Sequence, residues 1–334
     1  MATSTPLDTL LLVGGSGRLC KLIATQALGN PFFKKVTILS RGAMPDEEKE
    51  WQEKKRATLA ELAALGATVV ELDYTNVDDA SLVEVFKGHK AAVLITGTSP
   101  DGDAGWQQSA RMVDIAKAAG VQRLIPNVFG MDYNLNTEYS YLWPRRLVRE
   151  HIVASGLEYT EFMVGLFDDY FFDTNLLMTD FDAWKATLFE PEHVVAFTAR
   201  EDVAKYVVAT LEHRASETRN RSLRVTSALV SIAEMVRRAE RALPSRGPFD
   251  ITRVAAERVY DYTTPDSDAP KDGVKINQFL RMAARGTAGW AAELSDNGMF
   301  EGIVEVRDVW ATLDEKVRQW KENNAGAAVA SSEE

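Results

Sequence analysis

Cysteine is nearly absent from this sequence: of 334 residues, Cys20 alone carries a thiol. An internal disulfide is therefore impossible, and so is a cysteine-rich metal site. Histidine is scarce too. His89, His151, His193 and His213 are scattered without metal-ligand spacing, and no Ser-His-Asp order or nucleophile elbow accompanies them, so no metal is expected. Long apolar runs are missing: none approaches the roughly 20 residues needed to span a bilayer. Residues 1–8 lack the basic start and long apolar core of a signal peptide, which leads to the expectation of a cytoplasmic protein with no membrane partner. Positive charge is in deficit, with 38 Lys and Arg against 49 Asp and Glu and a formal net charge of -11. That balance argues against a nucleic-acid partner while leaving room for a local basic pocket that holds phosphate. A small molecule is the expected partner.

What is present begins with the stretch from Thr9 to Ala24. An apolar run, Leu10 to Val13, breaks into Gly14-Gly15-Ser16-Gly17, and apolar residues return at Leu19, Leu22, Ile23 and Ala27 with helical spacing. The pattern reads as strand, tight turn, helix. Glycines at 14 and 17 let the backbone bend and approach a pyrophosphate, whose charge meets the free N–H groups and positive dipole end of the helix. Ser16, Arg18 and Leu19 share that turn and are candidate cofactor contacts. The usual third glycine is replaced by Cys20, small enough to keep the helix close to the strand. An ordinary turn before a helix would look similar, so the context decides. Lys35–Ser40 reads as a second strand and Arg41 ends it, where the ribose of a bound dinucleotide lies. Arginine there accommodates a 2′-phosphate, so the cofactor expected is NADP(H).

The alternation then continues. A charged, alanine-rich helix (46–65), a third strand (68–73), a helix (79–86), a fourth strand (91–96), a loop (97–103), a helix (107–119) and a fifth strand (122–132) follow in turn. That order predicts an α/β fold with a doubly wound parallel sheet. Asp73 either lies near an adenine ring or caps the next helix. Thr96, Gly97, Asn127 and Phe129 stand at carboxyl ends of strands, where ligands of such sheets bind. A helix from residue 141 is stopped by Gly156, and a sixth strand (159–164) runs into an aromatic stretch, 165–172. Gly165, Leu166, Phe167 and Tyr170 read as a substrate-pocket lining, with core packing of Phe167, Tyr170 and Phe171 as the alternative. Beyond it we expect strands at 194–198 and 223–227, helical segments at 200–213, 231–243, 249–262, 276–284 and 309–320, and a loop at 263–273. The expected organisation is a flexible start (1–8), a dinucleotide-binding domain (9–165), a substrate lobe with segments returning to the sheet (166–322) and a disordered tail (323–334).

On these residues the chain resembles the NmrA-like and isoflavone reductase-like branch of the atypical short-chain dehydrogenases/reductases. The likeness rests on Val13-Gly-Gly-Ser-Gly17, Arg41, the segment Arg123 to Gly130, the run Ser155 to Thr160, and the blocks Phe197 to Asp202 and Asp308 to Asp314. The resemblance implies an NADP(H)-binding Rossmann domain with a smaller C-terminal lobe closing a cleft over the nicotinamide. Reductases of the family commonly act on aromatic plant metabolites, fungal members serve specialised metabolism, and NmrA itself is a regulator that senses dinucleotides. In the plant-type reductases a lysine at the start of the helix before the sixth strand takes part in proton transfer; counting back from Gly156 puts Arg145 there. A guanidinium stays protonated, so it can orient an oxygen or stabilise negative charge but not act as a base. Tyr141, four residues earlier, shares its helical face, and the cation would favour the tyrosinate. Pro144 lies between them, in the first turn. The candidate catalytic residues are Tyr141, Arg145 and the carboxylates Asp168 and Asp169, either of which becomes a better acid if buried. Three functions follow in order: an NADPH-dependent reductase of a bulky aromatic or polycyclic metabolite, a cofactor-bound isomerase opening an epoxide or guiding a rearrangement, and a dinucleotide-sensing regulator. A monomer or homodimer is expected.

Overall fold

The computed structural model describes residues 5–42, 48–96, 103–173, 176–262 and 271–330. Strands and helices alternate through the first half of the chain: β1 (Thr9–Val13), α1 (Arg18–Leu28), β2 (Lys35–Ser40), α2 (Lys49–Ala64), β3 (Thr68–Glu71), α3 (Asp79–Phe86), β4 (Ala91–Leu94), α4 (Asp103–Ala118), β5 (Arg123–Ile125), α5 (Trp143–Ser155) and β6 (Glu158–Met163). The second half is more broken: β7 (Leu166–Phe167), α6 (Asp168–Asp173), β8 (Thr179–Asp180), β9 (Lys185–Glu190), β10 (Val194–Thr198), α7 (Arg200–His213), β11 (Arg221–Arg224), β12 (Ala228–Ser231), α8 (Ile232–Ala242), β13 (Asp250–Ala255), α9 (Lys271–Ala284) and α10 (Val309–Ala330).

Seven parallel strands form the main sheet in the order β11-β6-β5-β4-β1-β2-β3. β1 is its centre, pairing Leu10 with Val36 on one side and with Ala91 on the other. A strand covered on both faces must be apolar throughout, and Leu10, Leu11, Leu12 and Val13 are all fully buried. The order reverses at β1, between β2 and β4, and this switch point opens a crevice at the carboxyl ends of the strands. One face of the sheet carries α1 and α7, whose Ile23, Ala24, Ala27, Val203 and Val207 share a core cluster; the other carries α4 and α5 through Met112, Val113, Val148 and Ile152. The sheet thus draws on residues beyond 165, because β11 pairs with β6 and α7 packs on α1.

The C-terminal lobe has two three-stranded sheets, β12-β10-β7 and β13-β9-β8, around an aromatic core. Phe171, Phe181, Phe249, Trp184 and Trp320 meet there, Trp184 and Phe249 stacking at 4.0 Å between centroids. Here the structure departs from the sequence reading. Residues 250–255 are a strand paired parallel to β9, followed by a 3-10 run, Ala256–Tyr262, in place of one helical segment. β9 itself is an addition, although its burial alternates along Lys185–Glu190 as a half-buried strand requires. The expected strand at 223–227 overlaps the end of β11 at residues 223–224, and residues 225–227 link it to β12. α10 continues to Ala330, where a disordered tail was expected from residue 323; the alanines that lower the complexity of this segment are also the best helix formers.

Candidate active site

The glycine-rich turn sits at the switch point for a steric reason. Gly14 has φ +126°, and a Cβ there would lie 1.9 Å from the Ile95 carbonyl oxygen; Gly15, at φ +48°, would meet the Ser40 side chain at 2.4 Å. These two glycines wedge the turn between the ends of β4 and β2. Gly17 is different: a Cβ there would meet only the Gly14 oxygen, at 3.9 Å. Nothing among the described residues demands glycine at 17, whereas a ligand laid along the backbone would. Gly17 also starts α1 without a side-chain cap, and no acidic residue stands in the first turn, so its N–H groups keep their affinity for an anion. Leu19 and Cys20 face inward, and burial pushes the Cys20 thiol up to about 12.

A cleft of about 340 Å³ opens beside the turn. Gly14, Ser16, Gly17 and Arg18 form one wall, Ser40, Arg41 and Tyr74 another, and α2 adds Trp51, Lys54 and Lys55. Four cations therefore gather on one cleft of an acidic chain, the local basic pocket the charge balance allowed. Arg41 stands at the end of β2 with its guanidinium 5.9 Å from the centre of the Tyr74 ring. Trp51, Lys54 and Lys55 were missed in the sequence because they sit in a charged helix with no motif.

Asp73 holds the turn that carries Tyr74. Its carboxylate accepts from the Thr75 hydroxyl at 2.6 Å, the Asn76 amide at 2.6 Å and the Thr75 N–H at 3.1 Å, bonds that hold it below the usual carboxylate range. It does not cap α3. Asp78 does, accepting from the Ser81 N–H at 2.9 Å. Thr96 is buried at the end of β4, and its carbonyl accepts from Asn127 Nδ2 at 2.8 Å, which ties the ends of β4 and β5 together. Phe129 stacks on Phe162 at 6.0 Å. Gly97 lies outside the described residues.

Tyr141 and Arg145 come together as their spacing predicts. Tyr141 lies in a 3-10 turn, Ser140–Leu142, that runs directly into α5, and Pro144 is accommodated in the first helical turn. Arg145 Nη2 donates to the Tyr141 hydroxyl at 3.2 Å. Arg145 is 6% exposed and lies against Gly130, where a Cβ would come within 2.5 Å of Nη1. The Gly130 carbonyl accepts from the Val164 and Gly165 N–H groups at 2.9 and 3.1 Å, so the pair is fixed to the carboxyl ends of β5 and β6. From the lobe side, Gln278 of α9 accepts from the Tyr141 N–H at 3.0 Å and donates to Ser140 Oγ at 2.9 Å, while Phe279 meets the Tyr141 ring edge to face. The result is a phenol whose oxygen accepts a hydrogen bond from a buried guanidinium.

The two carboxylates separate. Asp168 is 2% exposed and accepts from Thr312 Oγ1 of α10 at 2.7 Å; burial raises its pKa above the usual carboxylate range, with the Thr312 bond opposing. Asp169 is shared by two arginines, Arg18 Nη1 at 3.3 Å and Arg200 Nη1, and its carboxylate joins the starts of α1, α6 and α7. Arg200, which the sequence reading left within a family block, packs its guanidinium 4.3 Å from the Phe167 ring centre. Burial and the neighbouring Arg18 bring its pKa down to about 10. Of the candidate pocket residues, Gly165 and Leu166 are packing positions: a Gly165 Cβ would lie 2.2 Å from the Ala196 oxygen, and Leu166 is buried in the lobe core. Phe167 lies against Arg200, Tyr170 packs on the lobe, and Phe171 and Phe172 are core. Among the described residues no cluster of metal-ligating side chains is found, and no helix is long and apolar enough to cross a membrane.

Comparison with solved structures returns the same architecture. AtPrR2 with NADP+ and (+)pinoresinol aligns with a TM-score of 0.76 at 20% identity, over 93% of this chain and 99% of that one. Isoflavone reductase aligns at 0.74 and 18% identity over 95% and 100% of the two chains. The leucoanthocyanidin reductase–NADPH complex from Vitis vinifera aligns at 0.72 and 17% over 92% and 99%. Comparison with curated sequences finds no match. The NmrA-like family matches residues 6–254, most of the chain and all of the main sheet, and this protein belongs to that family.

Proposed function

We propose that this protein is an NADPH-dependent reductase of a bulky, largely apolar aromatic or polycyclic metabolite. One observation carries the reading: the basic cleft at the switch point, with its uncapped helix start and its free Gly17 position, shares the carboxyl edge of the sheet with the Tyr141–Arg145 pair. The residues fit an NADP(H) dinucleotide. The Gly14–Gly17 turn, Ser16 and Arg18 would hold its pyrophosphate, and Arg41 with Lys54 and Lys55 its 2′-phosphate. When bound, the nicotinamide supplies a hydride. Tyr141 gives a proton to the substrate atom that gains negative charge, and Arg145 stabilises the phenolate left behind. Because Arg145 cannot itself release a proton, solvent restores the phenol. The substrate class draws support from (+)pinoresinol in AtPrR2 and from the likeness to isoflavone reductase and leucoanthocyanidin reductase. The net charge of -11 argues against a nucleic-acid partner, and we read the protein as a monomer or homodimer.

The test is purified protein with NADPH and a panel of lignans, flavonoids and fungal polycyclic metabolites, read by nicotinamide absorbance. Substrate-dependent oxidation with one equivalent consumed per product is expected. No oxidation across the panel overturns the reading. Arg145 at the lysine position favours a second one, in which the dinucleotide forms a wall of the site while Tyr141 opens an epoxide or guides a rearrangement. Turnover with no change in nicotinamide oxidation state would establish it over the first.

A further inference from the structure

The geometry points to Trp51 as the stacking platform for the base of the bound nucleotide. This inference rests on the dinucleotide reading above and assigns a residue that neither the glycine turn nor Arg41 requires. Trp51 is 57% exposed, an unusual state for the largest apolar side chain. It does not anchor its helix: α2 buries only Leu59 and Leu62, and none of residues 49–56 is buried. The indole lines the cleft with Gly17, Arg41 and Tyr74. Lys54 holds its ammonium 5.2 Å from the indole centre, a cation–π contact within the same cleft lining. An exposed indole among Lys54, Arg18, Arg41 and Lys55 suits a planar base whose sugar carries phosphate. The adenosine 2′-phosphate end of the dinucleotide has that chemistry, whereas the nicotinamide end belongs near Tyr141.

The experiment titrates the full chain with 2′,5′-ADP, NADPH and nicotinamide mononucleotide, using calorimetry for affinity and tryptophan emission for stacking. In the wild type 2′,5′-ADP should quench emission, and W51A should lose that quench and bind 2′,5′-ADP and NADPH about tenfold more weakly. W51F should stay within about threefold of wild type, since a phenyl ring retains most of the stacking. Nicotinamide mononucleotide should bind W51A and wild type alike. Equal affinity of W51A and wild type for 2′,5′-ADP overturns the assignment and leaves the cofactor reading standing. Equal weakening of nicotinamide mononucleotide also overturns it, because the loss would not be specific to the base. Wild-type protein that binds neither 2′,5′-ADP nor NADPH overturns both.

Discussion

A guanidinium cannot exchange protons at working pH with the phenol it touches, so the division of labour between Tyr141 and Arg145 is fixed by chemistry. In the proposed reaction, of these two only Tyr141 can move the proton. Y141F should therefore lower kcat by about 100-fold or more while leaving NADPH affinity near wild type, as steady-state kinetics and calorimetry together would show. Unchanged kcat would remove Tyr141 from the chemistry. On the proposed reading Arg41 sets cofactor selectivity: R41A should raise the KM for NADPH by about tenfold and leave that for NADH nearly unchanged, because a charge-assisted bond to the 2′-phosphate would be lost. Asp168 gives a pH signature. Its pKa is raised by burial, so the stability it contributes is complete below the ordinary carboxylate value of 3.8 and is lost as pH rises through the raised native value. Asn at this position still accepts the Thr312 bond and does not titrate. Urea unfolding across a pH series should show wild type losing stability relative to D168N over that window; parallel curves would contradict it.

At the scale of elements, the carboxylate of Asp169 is the point where three helix starts converge. Arg200 is largely buried and Arg18 is open to solvent, with side chains 17% and 73% exposed. Removing the carboxylate takes from a largely buried cation its ion-pair partner, whereas removing Arg18 loses a surface pair. D169A should cost about 1–3 kcal/mol in urea unfolding and R18A less than about 1 kcal/mol. Equal costs would mean that Asp169 serves neither partner specifically. None of this convergence was legible in the sequence, where residues 18, 169 and 200 are far apart and each carries only its own charge. What could be read locally was read: the run Leu10–Val13, the break at Gly14 and the period of α1 gave strand, turn and helix, and the four-residue spacing of Tyr141 and Arg145 gave their contact. Pairing between short strands is set by long-range partners, so local pattern does not reveal β9 or β13 and predicts helix over residues 249–262. Trp51 and Lys54 belong to the same class, because a charged helix shows its use only when a cleft lies beside it.

For the molecule as a whole, the two lobes are interleaved along the chain. β11 completes the main sheet beside β6, and α7 covers α1, yet both follow the first strands of the C-terminal lobe. A fragment of residues 1–165 would expose the β6 edge and the apolar face of α1, and it should fail to give a monomeric folded species by gel filtration and circular dichroism. A well-folded fragment would show that the first half is self-sufficient. The lone cysteine then acquires a use that has nothing to do with catalysis. Cys20 sits under the glycine turn, fully buried between α1 and the sheet, with its thiol held protonated. A thiol-reactive dye can reach it only when that corner of the molecule opens, so the labelling rate is a clock for local unfolding at the phosphate-binding turn. If NADPH binds there, the clock should slow by the factor that binding stabilises the closed turn, which offers a measure of cofactor affinity that needs no substrate and no turnover.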